Sequence, residues 1–325
     1  MKGSPPDRWS QIGWAAALGV ALLLPVLLTT RYQMTLASNL GMYVLLAVGL
    51  NFIYGYAGQM AFCHAAFWGI GAYASAIFAT KFAMNFWVGM AAAAVVTLLV
   101  ALALGAATLR LKFYYFGLAT MGAGEIIHTV IVNWENVTGG VGGITRIPPP
   151  TLFGHALSGE KEFYYFWLAF ALIGIFVAHR IEKSRFGRSL IAIREGESSA
   201  EAMGVPAFSR KLLALCLSAI YASVAGSIFA SQTAFISPES FTTHTTITFV
   251  LMVIVGGRGS LPGITVGAIV LSLLPELLRG LKQYYMLLYG IAIVVLIIVW
   301  PNGLGGALSK LSKQVRSIAK GGAQP

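Results

Sequence analysis

Long apolar stretches dominate this chain. A transmembrane helix needs about 20 consecutive, mostly apolar residues, and such stretches lie at residues 12–30, 36–55, 60–80, 86–109, 113–133, 163–181, 211–231, 243–257, 260–278 and 284–300. Only 10% of the 325 residues are charged, against about 25% in soluble domains. The pattern predicts an all-α polytopic membrane protein with about ten transmembrane or re-entrant helices. It argues against soluble enzymes, nucleic-acid-binding proteins and disordered chains.

Three of the ten stretches leave an alternative open. The stretches 60–80 and 260–278 each begin directly after a glycine-rich break, so either could re-enter the membrane instead of crossing it. The stretch 12–30 follows two basic residues and could be a signal peptide. It is long for one, however, and no clear A-x-A cleavage site follows it. We interpret it as a retained first span.

The distribution of basic residues predicts the orientation, because cytoplasmic loops have an excess of lysine and arginine. Ten crossings place both termini on one side. If that side is the cytoplasm, residues 1–11 form a cytoplasmic N-terminus, residues 12–300 a transmembrane domain, and residues 301–325 a basic cytoplasmic tail that suits anionic lipid headgroups. The cytoplasmic side then has sixteen basic residues: Lys2, Arg8, Arg110, Lys112, Arg180, Lys183, Arg185, Arg188, Arg194, Arg210, Lys211, Arg258, Lys310, Lys313, Arg316 and Lys320. The outside has six: Arg31, Lys81, Arg146, Lys161, Arg279 and Lys282. The net charge of +11 therefore reflects membrane orientation rather than binding of nucleic acid.

Small residues recur at every fourth position in two stretches. Gly259, Gly263 and Gly267 form one stripe; Ala222, Gly226 and Ala230 form the other. Small residues let helices pack closely in lipid. The stripes predict either packing within one subunit or a subunit interface, and the sequence does not separate the two.

Two glycine-rich breaks interrupt the helices at membrane depth. They are Gly55-Tyr56-Ala57-Gly58-Gln59 and Gly256-Gly257-Arg258-Gly259. Irregular backbone at such depth is tolerated where it is buried in protein or faces a water-filled cavity, and paired interrupted segments are typical of transporter pathways. The alternative is a pair of tight cytoplasmic turns.

Glu125 is the one acidic residue well inside a predicted span. A charged side chain at the centre of a bilayer is costly, so we expect Glu125 to face the bundle interior and to have a partner. His128 is a candidate because it lies three residues further along the helix. Two roles stay open, one in the permeation path and one as a buried hydrogen-bonding centre. His64, near the first break, is by itself more typical of a packed core residue than of a ligand.

The predicted cytoplasmic loop 182–210 suggests a protein partner. Phe186, Leu190 and Ile193 lie on one face of a helix. Ser198 to Glu201 fits a capping box for a second short helix, and Gly204 and Pro206 would end it. The acidic, small-residue tip between them is poorly suited to lipid, although an interfacial helix on the headgroups is the alternative.

Catalytic chemistry finds no support in the sequence. Cys63 and Cys216 both lie in apolar stretches, so a disulfide framework is not expected. There is no metal-ligand spacing and no carboxylate pair for acid–base chemistry, so we predict no catalytic and no metal site. The nucleotide-binding pattern G-x-x-x-x-G-K-[ST] is absent, and the chain therefore needs another source of energy.

The order of several motifs resembles the permeases of branched-chain amino-acid ABC importers, of the LivM type. The matching residues run from about residue 40 to 306: Gly49-Leu50-Asn51, Gly55-Tyr56-Ala57-Gly58, His64-Ala65-Ala66-Phe67, Gly69-Ile70-Gly71-Ala72-Tyr73, Gly124-Glu125-Ile126-Ile127, Asn133-Trp134, Thr138-Gly139-Gly140, Gly143-Ile144, Phe186-Gly187-Arg188, Ala202-Met203-Gly204, Ser237-Pro238-Glu239-Ser240-Phe241, Leu251-Met252-Val253, Gly256-Gly257, Gly259-Ser260, Leu274-Pro275-Glu276-Leu277-Leu278, Pro301 and Gly303-Leu304.

This resemblance implies a permease subunit in the bacterial inner membrane that works by alternating access. It implies a homologous LivH-type permease, two cytoplasmic ABC ATPase subunits that bind ATP and Mg, and a periplasmic solute-binding protein as partners. This chain itself would hold no cofactor. The segment similar to the coupling helix comprises Arg194, Glu195, Gly196, Glu197, Ala200, Glu201, Ala202, Met203 and Gly204.

Two further groups of residues are assigned on the same basis. The predicted translocation pathway comprises Gly55, Gly58, Gln59, His64, Glu125, His128 and Asn133. The outer loop 134–162 is rich in glycine and proline, which predicts a structured turn-rich loop. The residues expected to face the binding protein are Thr138, Gly139, Gly140 and Gly143.

The substrate is less well defined than the family. Cys63, Gln59-Met60, His128 and Arg258 depart from the residues usual in the family, and several lie near the predicted pathway. Relatives of this type also transport urea, short amides and aromatic acids. A secondary transporter or channel is a further alternative, but we would expect several intramembrane ionisable residues in it. A membrane enzyme is the third reading.

Overall fold

The computed structural model describes residues 19–25, 28, 30–152, 154–278, 280, 284–301 and 303–306. The predicted N-terminus 1–11, most of the stretch 12–30 and the tail beyond residue 306 lie outside the described residues. Residues 19–25 are helical.

The described chain is mostly helical. Helix α1 (Arg31–Asn51) continues as a π-helix (Phe52–Tyr56), and α2 (His64–Thr80), α3 (Phe86–Thr108) and α4 (Phe113–Asn133) follow. A loop region contains α5 (Glu135–Thr138), a 3-10 turn (Gly140–Gly142), β1 (Ile144–Thr145), β2 (Thr151–Leu152) and β3 (His155–Ala156). The remaining elements are α6 (Glu160–Glu182), α7 (Arg185–Glu195), α8 (Glu197–Ala202), α9 (Ala207–Thr233), β4 (Phe235–Ile236), a 3-10 turn (Pro238–Phe241), α10 (Thr243–Gly256), α11 (Leu261–Leu278) and α12 (Tyr285–Val299).

Seven helices of the described part are long and apolar enough to cross a membrane. They are α1 with its π-helical end, α3, α4, α6, α9, α11 and a helix over Leu287–Gly306 that includes most of α12. Two further predicted stretches form shorter helices, α2 with 17 residues and α10 with 14. Membrane helices are therefore confirmed, and the total of ten stays a prediction.

The long helices run between two ends of the bundle. At one end, which we call the loop end, Lys81 Nζ donates to the carbonyl oxygens of Asn136 and Val137, and β1 pairs with β4 through Ile144 and Ile236. At the other end, which we call the break end, Arg194 of α7 contacts Gly55. This arrangement places the outer loop at one end and the glycine-rich breaks at the other.

Helix α9 packs closely against α2 inside the bundle. Its residues Ala222, Gly226 and Ala230 are buried, and a Cβ atom at Gly226 would lie 2.6 Å from the Ala72 nitrogen. Gly267 of α11 approaches α10 in the same way, with 2.6 Å from its ideal Cβ to Gly256 Cα. Of the two predicted uses of the small-residue stripes, the structure shows packing within the subunit. Cys63 and Cys216 are both free and buried.

Candidate functional site

The two glycine-rich breaks meet at the break end. The side chain of Asn51, at the end of α1, is fully buried, and its Oδ1 accepts a hydrogen bond of 3.1 Å from the Gly259 backbone N–H. The chain then leaves the π-helix and remains irregular over residues 57–63 before α2 begins. π-helical turns are frequent at functional sites. The structure therefore joins two segments that are 208 positions apart in the sequence.

Glycine is required at this junction because the backbones approach closely. A Cβ atom at Gly55 would overlap the Asn51 amide and lie 2.9 Å from the Gly259 nitrogen. Gly58 has a φ of +73°, in the left-handed region that favours glycine. A larger residue at Gly55 would separate the two breaks.

The predicted cytoplasmic loop forms two short helices, as expected. Ser184 caps α7 by accepting a hydrogen bond of 3.2 Å from the Gly187 N–H. Leu190 and Ile193 are buried, so the predicted apolar face of α7 points into the protein. Gly204 follows α8 with a φ of +83°, which ends the helix as predicted.

The predicted capping box at Ser198 is wrong. A cap at Ser198 implies a helix that begins at Ser199, but α8 begins two residues earlier, at Glu197. The first carbonyl of the helix is that of Gly196, whose oxygen accepts from the Ala200 N–H at 2.9 Å. Ser198 therefore lies inside the first turn, and its side chain makes no cap.

Arg194 joins the cytoplasmic loop to both breaks. Its guanidinium donates a hydrogen bond of 2.7 Å to the carbonyl oxygen of Gly55. Its side chain also occupies the space beside Gly58 and Gly259, since Cβ atoms there would come within 2.8 Å and 2.7 Å of Arg194 atoms. A charge-assisted hydrogen bond of this kind is stronger than a neutral one. This contact connects α7 directly to the end of α1.

A buried ion pair also holds this segment. Lys211 of α9 pairs with Glu197 of α8, and its side chain is only 5% exposed, against 43% for Glu197. The sequence predicts Lys211 only as a cytoplasmic basic residue and does not indicate this pairing. No local pattern in the sequence indicates a pairing across 14 residues that include a turn.

The rest of the segment forms an exposed tip. Glu195, Glu201, Ala202, Met203 and Gly204 are exposed, and the Met203 side chain is 85% exposed. Ala200 is buried and packs with Ile193, Ala207 and Val205. An apolar side chain at the end of an anchored, acidic segment suits contact with another protein.

Helix α4 presents a second group of predicted site residues. Glu125 is exposed on this helix and accepts a hydrogen bond of 3.1 Å from the Thr243 hydroxyl. The expectation that Glu125 faces the interior of this bundle is wrong, because α4 turns Gly124 inward and places the next residue about 100° away. The proposed pairing with His128 is not seen; within the described structure the buried Nε2 of His128 has no hydrogen-bond partner. Asn133 is exposed and donates to the Thr129 carbonyl at 2.8 Å.

His64 lies in the packed core rather than on an open surface. Its Nε2 lies 3.0 Å from the Leu46 carbonyl oxygen, and its Nδ1 lies 3.1 Å from the Ser218 hydroxyl. Gln59 is also buried. The structure therefore separates the predicted pathway residues into a group at the break end and a group on α4.

The outer loop has a fixed shape at the loop end. The Thr138 hydroxyl donates to the Ile131 carbonyl at 2.7 Å, and Gly139, Gly140 and Gly143 all have positive φ. A side chain at Gly143 would collide with the backbone of Ile236 in β4. The predicted turn-rich structure is present, with its glycines where the backbone requires them.

Comparison with known proteins decides the family. The model of a family described as "branched-chain amino acid transport system / permease component" matches residues 33–299. The chain belongs to this permease family. The match covers α1 to α12 apart from the first two residues of α1, whereas the helical residues 19–25 and 303–306 lie outside it.

The permease is similar along most of its length to named relatives. It is 31% identical to the high-affinity branched-chain amino acid transport system permease protein LivM of Salmonella typhimurium (strain LT2), over 89% of the chain and 73% of the relative. It is also 31% identical to LivM of Escherichia coli K12, over 94% of the chain and 77% of the relative. Similarity to the autoinducer 2 import system permease protein LsrC of Escherichia coli O9:H4 is weaker, 27% over half of the chain and 48% of that protein. No solved structure shows significant similarity to the permease.

The resemblance inferred from the motifs is thus confirmed. In the permease, the motif residues Asn51, Gly55 and Gly259 form one junction with Arg194. The chain therefore combines multi-pass membrane helices with membership of a permease family. It also has a segment that is bonded to the broken helices. All three features fit a transport subunit.

Proposed function

We propose that this chain is the LivM-type permease subunit of an ATP-driven ABC importer for branched-chain amino acids, delivered by a periplasmic binding protein. The observation that supports the proposal most strongly is the contact of Arg194 with Gly55. This contact connects the exposed tip to the broken helices. The chain that contains it matches LivM permeases over about nine-tenths of its length.

We place the break end in the cytoplasm of a bacterium and the loop end in the periplasm. Ten described basic residues lie at or near the break end: Arg110, Lys112, Arg180, Lys183, Arg185, Arg188, Arg194, Arg210, Lys211 and Arg258. Four lie near the loop end: Arg31, Lys81, Arg146 and Lys161. This asymmetry supports insertion in the inner membrane with the break end inside, and with ten crossings both termini are cytoplasmic.

ATP hydrolysis belongs to two partner subunits in this proposal. The chain has no phosphate-binding G-x-x-x-x-G-K-[ST] pattern, so the ATPases bind ATP and Mg. The exposed Met203 and the acidic residues around it dock into one ATPase subunit. The outer loop 134–162, with Thr138 and Gly143, faces the binding protein.

Coupling follows from the geometry of Arg194. When the ATPases close, they push the tip, and α7 moves with it because Ala200 of α8 packs against Ile193 of α7. Arg194 then displaces Gly55 and Gly259 together. The end of α1 and the residues that follow α10 then move together, because both contact Arg194 at the junction. In this proposal that shared movement opens the pathway to one side of the membrane and closes it to the other.

The exposed face of α4 supports pairing with a homologous LivH-type permease. Glu125, Asn133 and several apolar residues lie on a surface that the described residues of this chain leave open. A charged residue at membrane depth needs protein or water around it. A second permease packed beside α4 would enclose a pathway between the two subunits.

The relatives named above do not favour the other substrates considered. Their names specify branched-chain amino acids and autoinducer 2, whereas urea, amides and aromatic acids are absent from them. A secondary transporter or channel likewise gains no support from these names.

Reconstitution tests the proposal. The chain, its partner permease and ATPases are purified together, placed in liposomes with the loaded binding protein outside and ATP inside, and assayed for uptake of radiolabelled leucine, isoleucine and valine. We expect uptake that stops when ATP is replaced by ADP. Uptake that continues without ATP, or a purified complex that lacks ATPase subunits, contradicts the proposal.

A further inference from the structure

An apolar cleft opens on the same face of α4 that holds Glu125. Its volume is about 260 Å³. It is lined by Met60, Phe62, Tyr114, Gly117, Leu118 and Met121. Leu118 and Met121 are exposed on this face.

The wall of the cleft opposite α4 is the irregular segment between the π-helix and α2. The Phe62 N–H donates a hydrogen bond of 3.0 Å to the Thr120 hydroxyl of α4. Gly117 of α4 faces this wall, since a Cβ atom there would lie 3.5 Å from the Phe62 ring, at ordinary van der Waals distance. Irregular backbone at this depth is tolerated where it is covered by protein or lines a cavity. The cleft is therefore fixed by both walls and belongs to the broken-helix region.

Glu125 lies directly beyond the cleft on α4. It follows Met121 by one helical turn, which is about 6 Å along the helix axis. Its carboxylate accepts one hydrogen bond from Thr243, and no lysine, arginine or histidine of the described chain forms an ion pair with it. A carboxylate held at membrane depth without a cation has free acceptor positions for one.

We propose that Glu125 binds the ammonium group of the transported amino acid while the cleft receives its aliphatic side chain. The inference rests on the proposed function. The ammonium nitrogen of leucine and its terminal methyl carbons are roughly 5 Å apart, which matches one helical turn between Glu125 and Met121. The Thr243 hydroxyl orients the carboxylate, and Met60, Phe62 and Met121 provide the apolar contact. The site would therefore select substrates that have an ammonium group close to a short, branched aliphatic side chain.

Photo-crosslinking during transport tests the site. The complete transporter is reconstituted with binding protein and ATP, supplied with a diazirine analogue of leucine, irradiated during uptake and digested for mass spectrometry. We expect adducts on Met60, Phe62, Leu118 or Met121. In Glu125→Gln we expect both the adducts and the maximal rate of leucine uptake to fall about tenfold, the factor that corresponds to loss of one charged hydrogen bond. The concentration of loaded binding protein at half-maximal rate should not change.

Two further variants separate binding from folding. Glu125→Asp keeps the charge and should restore part of the uptake and of the adducts. Met121→Trp fills the cleft and should reduce both while Glu125 remains. Glu239→Gln removes an exposed carboxylate at the loop end and should leave both unchanged.

Several results would overturn the inference. One is leucine uptake by the wild type without adducts on the cleft, as expected if a helix of the second permease or a lipid chain fills it. Another is unchanged uptake and adduct formation in Glu125→Gln or Met121→Trp. A wild-type complex that hydrolyses ATP but transports no branched-chain amino acid contradicts the proposed function itself, whereas transport without adducts contradicts only the role of Glu125 and the cleft.

Discussion

Buried polar groups determine the position of the proposed coupling segment, which comprises α7, α8 and the residues up to Gly204. Asn51, Lys211 and the backbone of Gly55 would each be costly in the interior without a partner. Each has one, in Gly259, Glu197 and Arg194 respectively. These pairings differ in exposure, so their loss should have different consequences.

The two residues of the Lys211–Glu197 pair should not contribute equally to stability. Glu197→Gln leaves the charge of the nearly buried Lys211 without its partner and should lower the free energy of unfolding by about 3 kcal/mol. Lys211→Met leaves Glu197, which is half exposed and stays hydrated, so we expect a loss of less than about 1 kcal/mol. Thermal and denaturant unfolding of the purified variants in detergent measure the difference. Equal losses of stability in the two single variants would refute this account of the pair. So would a double variant, Glu197→Gln with Lys211→Met, that is no more stable than Glu197→Gln alone.

Gly55 is the residue at which any side chain should damage the junction. Gly55→Ala places a methyl group against Asn51 and Gly259, and overpacking of this kind costs about 1–3 kcal/mol. We expect a less stable protein with leucine uptake reduced about tenfold or more. Gly290→Ala is the matched control, because nothing lies within 4 Å of a Cβ atom there. If Gly55→Ala matched Gly290→Ala in stability and in leucine uptake, close contact between the two glycine-rich breaks would not be required.

At the scale of elements, the coupling segment consists of an anchored helix and an exposed tip. Helix α7 is amphipathic and buries Leu190 and Ile193, whereas α8 and the residues after it expose Glu201 and Met203. In the proposed mechanism the anchored helix transmits movement, and the exposed tip contacts the ATPase.

A charge at the tip should weaken ATPase binding without unfolding the permease. Met203→Glu replaces an 85% exposed apolar side chain beside existing acidic residues, and loss of a central apolar contact is worth about 1–2 kcal/mol. We expect about tenfold less ATPase subunit to co-purify. Met84→Glu, at an exposed methionine of the loop end, is the control and should co-purify normally. Normal ATPase recovery with Met203→Glu would place the docking surface elsewhere.

The elements were more predictable than the contacts between them. Apolar length predicts the long helices, and the spacing of Phe186, Leu190 and Ile193 predicts α7, because both signals are local. Arg194 and Gly55 are 139 positions apart, and only the packing of α7 onto the breaks brings them together. The direction of Glu125 was predicted wrongly because the cost of a charge at membrane depth requires a polar partner but does not say on which side of the helix that partner lies. The partner within this chain is the Thr243 hydroxyl, on an exposed face of α4.

At the scale of the whole molecule, the two ends differ in charge and in structure. The break end has most of the described basic residues and the coupling segment, and the loop end has the glycine-rich outer loop. The proposed orientation follows from this difference.

Labelling of single cysteines tests the orientation. Cys63 and Cys216 are buried, so a membrane-impermeant maleimide should leave the wild type unlabelled. Val141→Cys, at an exposed site of the outer loop, should react in intact cells. Ser199→Cys, in α8, should react only after the inner membrane is opened. The reverse pattern would invert the topology.

The central claim is that Arg194 transmits ATPase movement to the broken helices. The measurement is leucine uptake per ATP hydrolysed by the reconstituted transporter, with Arg185→Ala, an exposed arginine of the same helix, as control. In Arg194→Ala we expect ATP hydrolysis within about twofold of the wild type and uptake per ATP lowered about tenfold, since a hydrogen bond to a charged group contributes about 1.5–3 kcal/mol. Unchanged uptake per ATP in Arg194→Ala, with the complex intact, would contradict the claim.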